Sequence, residues 1–154
     1  MSKISWRHTV IAIVDDSADW RRVVRAMCLS FGATQVHEAA DGSALLHLAE
    51  AERLTFDLLL VDDDMQPMDG FLLLRSLRST ADHPSRYATA LLMPGDGGVG
   101  ILRKALDAGF HGVLPKPFSA QALGDRVERL LLQPMQWKED GELILPILPK
   151  PGQA

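Results

Sequence analysis

Short apolar runs alternate with amphipathic stretches along the first 133 residues of the chain. The runs are rich in leucine and β-branched residues, which is typical of buried strands, and the stretches between them carry apolar residues such as Trp20 and Val24 at helical spacing. The predicted strands lie at 9–14, 34–39, 57–61, 88–93 and 112–115. The predicted helices lie at 18–31, after the N-cap Asp41, after Gly70, at 101–109 and, capped by Ser119, at 119–132.

This alternation predicts an α/β fold with a parallel sheet that has helices on both faces. Three of the predicted strands are continuous apolar runs, as expected when both faces of a sheet are covered. In such sheets, ligands bind outside the carboxyl ends of the strands. A functional site is therefore expected at that edge.

The composition is that of an ordinary globular protein, with 47% hydrophobic and 23% charged residues among 154. We interpret residues 1–133 as one domain and 134–154 as a C-terminal extension, with no effector domain. The net charge of −4 and the lack of a run of Lys or Arg argue against nucleic-acid binding. The single cysteine, Cys28, and the lack of a signal peptide or membrane-spanning segment predict a cytoplasmic protein with no membrane partner.

Charged residues follow three of the predicted strands. Asp15 and Asp16 end the first strand, and a run of three acids that begins at Asp62 ends the third. Lys116 ends the fifth strand, so these side chains converge if the three strands are neighbours. Clustered carboxylates resist ionisation beside one another, so a divalent cation is the expected partner. The structural alternative is a solvated acidic loop at the start of a helix, with Lys116 as an ordinary surface lysine.

Three carboxylates and a lysine suit a combined metal and phosphoryl site. Mg²⁺ needs only one or two protein carboxylates because it keeps several of its waters. A carboxylate beside that ion can attack phosphorus and form an aspartyl phosphate. The ion and the lysine would then neutralise the phosphoryl oxygens.

The ordered motifs “IVDDS”, “DLLLVDDDMQPMDG” and “LPKPF” resemble the receiver domain of two-component response regulators, over roughly residues 8–133. The resemblance implies a flavodoxin-like, doubly wound five-stranded parallel sheet with strand order 2-1-3-4-5. It also implies that Asp62 is the phosphoacceptor. The implied Mg²⁺ ligands are Asp15, Asp16, Asp62 and the backbone carbonyl of Asp64.

Further contacts around the phosphoacceptor are implied by the same resemblance. Lys116 would contact the phosphoryl group, and its bond to Pro117 is expected to be cis. The backbone amides of Asp63 and Gly95 are candidate donors to phosphoryl oxygens, whereas the side chain of Asp63 is interpreted as a solvated neighbour. The dipeptide Asp69-Gly70 is expected to shape the turn into the third helix.

The resemblance also implies partners and an output. A histidine kinase or phosphotransfer protein would donate the phosphoryl group, and a downstream protein would bind in response. A second copy of the chain is a further candidate partner. No enzyme activity is expected beyond self-catalysed phosphoryl transfer and dephosphorylation.

Some positions depart from the receiver pattern. Pro94 stands where receivers have a Thr or Ser, and proline supplies neither a hydroxyl nor an N–H. Val113 stands where an aromatic residue usually follows that hydroxyl, and Gln66 displaces the usual proline to Pro67. The usual switch is therefore absent, and two alternatives remain. The domain is either phosphorylated and signals by another route, such as the glycine loop 95–100, or it is a phosphate-independent interaction module.

Two other motifs point to different functions. The segment “GDGGVG” at 95–100 satisfies a dinucleotide-binding pattern, but the next strand ends at “LPKPF” instead of at an acid. Asp62 and Asp64 imitate the D-x-D of aspartate-nucleophile phosphohydrolases, whose motif ends the first strand. The five histidines lack metal-ligand spacing and are interpreted as structural.

The C-terminal extension contains a hairpin signal, Asp140-Gly141, and is proline-rich from Pro146 onward. Residues 143–148 are too apolar to be left in water, and Trp137 is a candidate cover for them. The extension either folds back on its own domain or docks on a partner or a second copy.

Overall fold

The computed structural model describes residues 4–133 and 135–148. Within these residues, five parallel strands form one sheet. They are β1 (Val10–Val14), β2 (Gln35–Ala39), β3 (Leu58–Val61), β4 (Thr89–Leu92) and β5 (Gly112–Val113). Their order across the sheet is β2-β1-β3-β4-β5. This order confirms the predicted flavodoxin-like fold.

All of the predicted helices are present. They are α1 (Ala18–Ser30), α2 (Gly42–Glu52), α3 (Gly70–Ser79), α4 (Ile101–Ala108) and α5 (Ala120–Leu132). The predicted N-caps are confirmed, because the side chains of Asp41 and Ser119 accept hydrogen bonds from first-turn amides of α2 and α5. None of the helices in the described residues has the length and apolar content needed to span a membrane.

The core consists of two apolar layers, one on each face of the sheet. Successive side chains of a strand point to opposite faces. Val14 and Val61 therefore pack with residues of α2, α3 and α4, whereas Ile13 and Leu60 pack with residues of α1 and α5. The sheet is covered on both sides, as its continuous apolar strands predict.

The strand β5 is shorter than the predicted strand at 112–115. It ends at Val113, although Leu114 N still donates to Leu92 O at 2.7 Å. The chain nevertheless stays beside β4, since Lys116 N donates to Pro94 O at 2.9 Å. This hydrogen bond holds Lys116 next to the carboxyl end of β4.

Two further strands, β6 (Gln136–Asp140) and β7 (Leu143–Ile147), form the predicted antiparallel hairpin. At its turn, Gly141 has φ +65°, a conformation that glycine adopts without strain. The strand β7 packs against α3 and α4, and Ile144 is buried. The hairpin therefore folds back on its own domain. The end of the predicted proline-rich segment, 149–154, lies outside the described residues.

A buried arginine lies beneath the hairpin. Arg78 of α3 is fully buried. Its Nε and Nη2 donate to Gly109 O at 3.1 and 2.9 Å, and its Nη1 donates to Arg86 O at 2.6 Å. The guanidinium lies 4.7 Å from the ring centre of Trp137. Burial lowers the pKa of Arg78 to about 9. No carboxylate of the described residues forms an ion pair with Arg78. Its charge is stabilised instead by the backbone carbonyls and by the ring of Trp137.

Trp137 is the main contact between the hairpin and this arginine. Tyr87 and His111 pack edge-on to its ring, with centroid distances of 5.3 and 5.5 Å. Arg86 Nη2 also donates to Glu142 O of the hairpin turn at 3.0 Å. Trp137 therefore contacts the body of the domain, and its role as a cover for residues 143–148 stays a prediction.

Replacing Trp137 with alanine is expected to lower the free energy of unfolding by about 2 kcal/mol, because the half-buried indole and its contact with Arg78 are both lost. Urea denaturation measures this change. The matched control is Lys138→Ala, an exposed neighbour in β6, which is expected to change stability by less than about 0.5 kcal/mol. Equal stability of the two variants would contradict the packing of the hairpin.

Candidate functional site

Backbone pairing places two acids side by side at one edge of the sheet. Val14 of β1 is in register with Val61 of β3. Asp62 N donates to Val14 O at 2.8 Å, and Asp15 N donates to the neighbouring strand β2. Asp15 and Asp62 thus leave adjacent strands at the same edge, as predicted.

Three carboxylates meet at this edge. One oxygen each from Asp15, Asp16 and Asp62 lies within 4.8 Å of the others. Asp15 is fully buried and Asp62 is 5% exposed, whereas Asp16 is exposed. The cluster therefore has a buried floor and an open side.

Lys116 supplies the positive charge of the site. Its Nζ lies 2.7 Å from Asp15 Oδ2 and 3.1 Å from Asp62 Oδ1. The contact with Asp62 is a hydrogen bond. The contact with Asp15 is an ion pair without hydrogen-bond alignment, and Asp15 Oδ2 is otherwise unpartnered. The structure thus brings together all four side chains that the sequence predicts at the strand ends.

Burial and the charge of Asp15 raise the pKa of Asp62 to about 7, against the opposing effect of Lys116. For Lys116, burial acts to lower the pKa, but its contacts with Asp15 and Asp62 outweigh burial and raise it. One ammonium therefore faces two buried carboxylates.

The donor set at this edge fits a hard divalent cation. All the clustered atoms are carboxylate oxygens, which Mg²⁺ prefers. Asp15 Oδ2 is buried without a hydrogen-bond donor, and Asp16 lies on the open side. The cluster contains no histidine among the described residues. His111, for example, is buried and accepts a hydrogen bond from Ala90 N at 3.1 Å, a structural contact.

The other residues predicted to contact the phosphoryl group or the metal ion differ in how close they lie to Asp62. Asp63 N donates to Asp62 Oδ1 at 3.0 Å, so this amide already faces the acceptor carboxylate. Asp64 is exposed, and Gly95 is exposed in the loop after β4. The roles of the Asp64 carbonyl and of the Gly95 amide stay predictions.

Gly70 is required by a close backbone contact. A Cβ at this position would lie 2.1 Å from Asp62 O. Gly70 N donates to Asp63 O at 3.3 Å, and the side chain of Asp69 caps α3 by accepting from Leu72 N at 2.8 Å. The expected turn-shaping role of Asp69-Gly70 is confirmed, and it bears directly on the backbone of Asp62.

Pro94 follows β4 and Val113 ends β5, both close to Lys116 in the chain or in the sheet. Pro94 is buried. Val113 is half-buried and lies in register with Leu92 of β4. Pro94 accepts the hydrogen bond from Lys116 N, so its carbonyl contributes to the site although it has no hydroxyl. The peptide bond between Lys116 and Pro117 is cis, as expected, and so is the unpredicted one between Gln66 and Pro67.

Two side chains near the site were not predicted from the sequence. Trp20 has its ring centre 5.9 Å from Lys116 Nζ. Arg21 Nη1 donates to Asp15 O at 2.6 Å, and its Nε pairs with Glu38 at 3.1 Å. Trp20 fits the apolar spacing of α1 and Arg21 is an ordinary helix residue, so neither carries a signal of its position.

The sequence model of the response regulator receiver domain matches residues 11–128. This chain belongs to the response regulator receiver family. The chemotaxis protein CheY of Pseudomonas aeruginosa is 32% identical over 120 residues, which are 78% of this chain and 94% of that protein. CheY-3 of Vibrio cholerae is 29% identical over 130 residues, which are 84% of this chain and 97% of that protein.

Solved structures of receiver domains have the same fold. Chemotaxis protein CheY4 of Vibrio cholerae superposes with a TM-score of 0.69 at 26% identity, covering 79% of this chain and 97% of that chain. A chain of the CheX-CheY-BeF3-Mg+2 complex from Borrelia burgdorferi superposes with a TM-score of 0.72 at 21% identity, covering 81% and 90%. The latter likeness concerns the fold alone. The chain is thus a CheY-like receiver domain.

In this receiver domain, Asp62→Asn is expected to raise the free energy of unfolding by about 2 kcal/mol at pH 8 without divalent cations, allowing for partial solvent screening. The pKa of Asp62 rises from 3.8 to about 7 on folding, so stability falls as pH rises through this range and the full penalty applies above it. The gain of the variant should therefore shrink towards pH 4. Urea denaturation in EDTA measures it, with exposed Asp96→Asn as control. A gain independent of pH would contradict this explanation.

Gly70→Ala is expected to lower the free energy of unfolding by about 3 kcal/mol, because the new methyl group would collide with the backbone oxygen of Asp62. Gly98→Ala is the matched control, since a Cβ there would meet nothing closer than 3.9 Å. Thermal denaturation of both variants measures the difference. Similar unfolding temperatures would show that α3 can move away from Asp62 at little cost.

Proposed function

We propose that this chain is the receiver domain of a response regulator and takes a phosphoryl group on Asp62 with Mg²⁺ bound. The observation that carries the proposal is the meeting of Asp15, Asp16, Asp62 and Lys116 at one edge of a receiver-domain sheet. Receiver domains bind Mg²⁺ at such an acidic pocket. The family match and the oxygen-only cluster support the same function for this chain.

Asp62 is the proposed nucleophile. A carboxylate oxygen of Asp62 attacks the phosphorus of the donor, forming an acyl phosphate while the bond from phosphorus to the donor breaks. Only the ionised carboxylate reacts, and the hydrogen bond from Lys116 Nζ favours that form. After transfer, Lys116 pairs with a phosphoryl oxygen and Asp63 N is a further donor near the acceptor.

Asp15 and Asp16 would hold Mg²⁺ together with Asp62 and the carbonyl of Asp64. The bound ion supplies charge neutralisation for the phosphoryl oxygens. In this scheme Asp15 orients Lys116 as well, through its ion pair at 2.7 Å. Arg21 supports that geometry by binding the backbone oxygen of Asp15.

The proposed partners follow from the chemistry of the reaction. The donor is a histidine kinase or a phosphotransfer protein, and the output is binding of a downstream protein or of a second copy of the chain. The chain itself performs self-catalysed phosphoryl transfer and dephosphorylation only.

A phosphate-independent interaction module is the second candidate, and a specific observation favours it. Pro94 and Val113 remove the usual hydroxyl and aromatic residue of a receiver switch. A module that binds its partner without phosphate would not need either group. Retention of the three carboxylates and Lys116 in one pocket supports the phosphorylated regulator instead.

Incubation with acetyl phosphate and Mg²⁺ is expected to add one phosphoryl group to the wild-type chain, as detected by intact mass spectrometry. Asp62→Asn should add none, because it removes the nucleophile. Asp63→Asn is the matched control and should still react, since the proposed contribution of Asp63 comes from its backbone. A wild-type chain that stays unmodified and does not bind Mg²⁺ in a parallel titration would support the interaction module.

A further inference from the structure

Trp20 lies where the acid-bearing and lysine-bearing loops of the site meet. It is in the first turn of α1, shortly after Asp15, and its backbone N donates to the capping side chain of Ser17 at 3.1 Å. Its ring packs edge-on against Phe118, with centroids 5.0 Å apart and planes at 87°. Phe118 comes two residues after Lys116. The aromatic pair therefore joins the two loops.

The same ring is a neighbour of the Lys116 ammonium. Nζ lies 5.9 Å from the ring centre of Trp20, within the range of a cation–π contact. Asp62 accepts a hydrogen bond from Nζ, but the contact with Asp15 lacks hydrogen-bond alignment. A lysine has a flexible stem and three rotatable donors, so a contact with the ring of Trp20 adds to the two carboxylate contacts that hold the ammonium.

The identity of the aromatic residue is informative. The Nε1 atom of Trp20 is buried and has no hydrogen-bond partner among the described residues. An unpaired buried N–H is unfavourable, and a phenylalanine would avoid it. The feature that tryptophan adds at this position is its larger and more electron-rich π face, which is the best of the aromatic faces for binding a cation.

We propose that Trp20 is a positioning residue of the phosphoryl site, whose π face holds the ammonium of Lys116 against Asp15 and Asp62. This role rests on the proposed function, in which Lys116 pairs with a phosphoryl oxygen. Because Trp20 acts through Lys116, its removal is expected to slow phosphoryl transfer while the chain remains folded. The competing explanation is that Trp20 only packs against Phe118 in the core layer of α1 and α5.

The contact itself is tested by NMR on the full chain without Mg²⁺. An aromatic face shields nearby protons, so the ε-methylene protons of Lys116 should resonate upfield of an exposed lysine such as Lys138. Trp20→Leu should abolish the upfield shift, whereas Trp20→Phe should keep part of it. If the ε-methylene protons of Lys116 in the wild-type chain have the same chemical shift as those of Lys138, the proposal is overturned. This test does not depend on phosphorylation.

The functional role is tested by the rate of adduct formation with acetyl phosphate and Mg²⁺. Trp20→Leu should slow it by roughly five- to tenfold, with Trp20→Phe between this variant and wild type. Trp6→Phe is the control, because Trp6 packs on Phe31 in the same core layer and away from Lys116. Thermal denaturation of all four proteins shows that each is folded under the conditions of the assay.

Each outcome has a definite meaning. Equal rates in wild type and Trp20→Leu would overturn the positioning role while leaving the proposed function intact. A slower rate in Trp20→Leu with an unchanged Lys116 ε-methylene resonance would show that Trp20 acts only by packing and would also overturn it. A wild-type chain that forms no adduct would overturn both the function and the role in transfer, and the NMR shift would then report only a contact between Trp20 and Lys116.

Discussion

The site of this receiver domain depends on two buried carboxylates that share one ammonium group. Asp15 and Asp62 leave neighbouring strands at the same edge, and Lys116 reaches both from the far side of β4. With one positive charge between them, the pKa of Asp62 stays raised, first by burial and then by the charge of Asp15. The site therefore favours a further cation on electrostatic grounds, and its open side at Asp16 is where one would enter.

Pro94 shows how the fold uses the backbone of a residue that has neither a side-chain hydroxyl nor an N–H. Proline removes a hydroxyl and an N–H, but its carbonyl accepts the hydrogen bond from Lys116 N. The lysine loop is thus held to β4 by a backbone interaction that does not depend on the residue type at position 94. The position of Lys116 in the pocket is therefore compatible with a proline at position 94.

A second buried cation is stabilised in a different way. Arg78 is surrounded by the carbonyls of Gly109 and Arg86 and by the ring of Trp137. Neutral carbonyl acceptors stabilise a buried positive charge less than a carboxylate does. This agrees with the lowered pKa of Arg78. The hairpin is therefore part of the environment of a core residue, because the ring of Trp137 contacts Arg78.

The local pattern of the chain determined which elements form, where most helices begin, and which side chains stand at the strand ends. Those features depend on neighbours within a few residues, such as the caps Asp41 and Ser119 and the turn at Asp140-Gly141. The tertiary structure alone decided that Trp20 lies beside Lys116 and that Trp137 covers Arg78. These contacts join residues far apart in the chain. No local period or spacing encodes them, because their distances are set only when the sheet order brings the loops together.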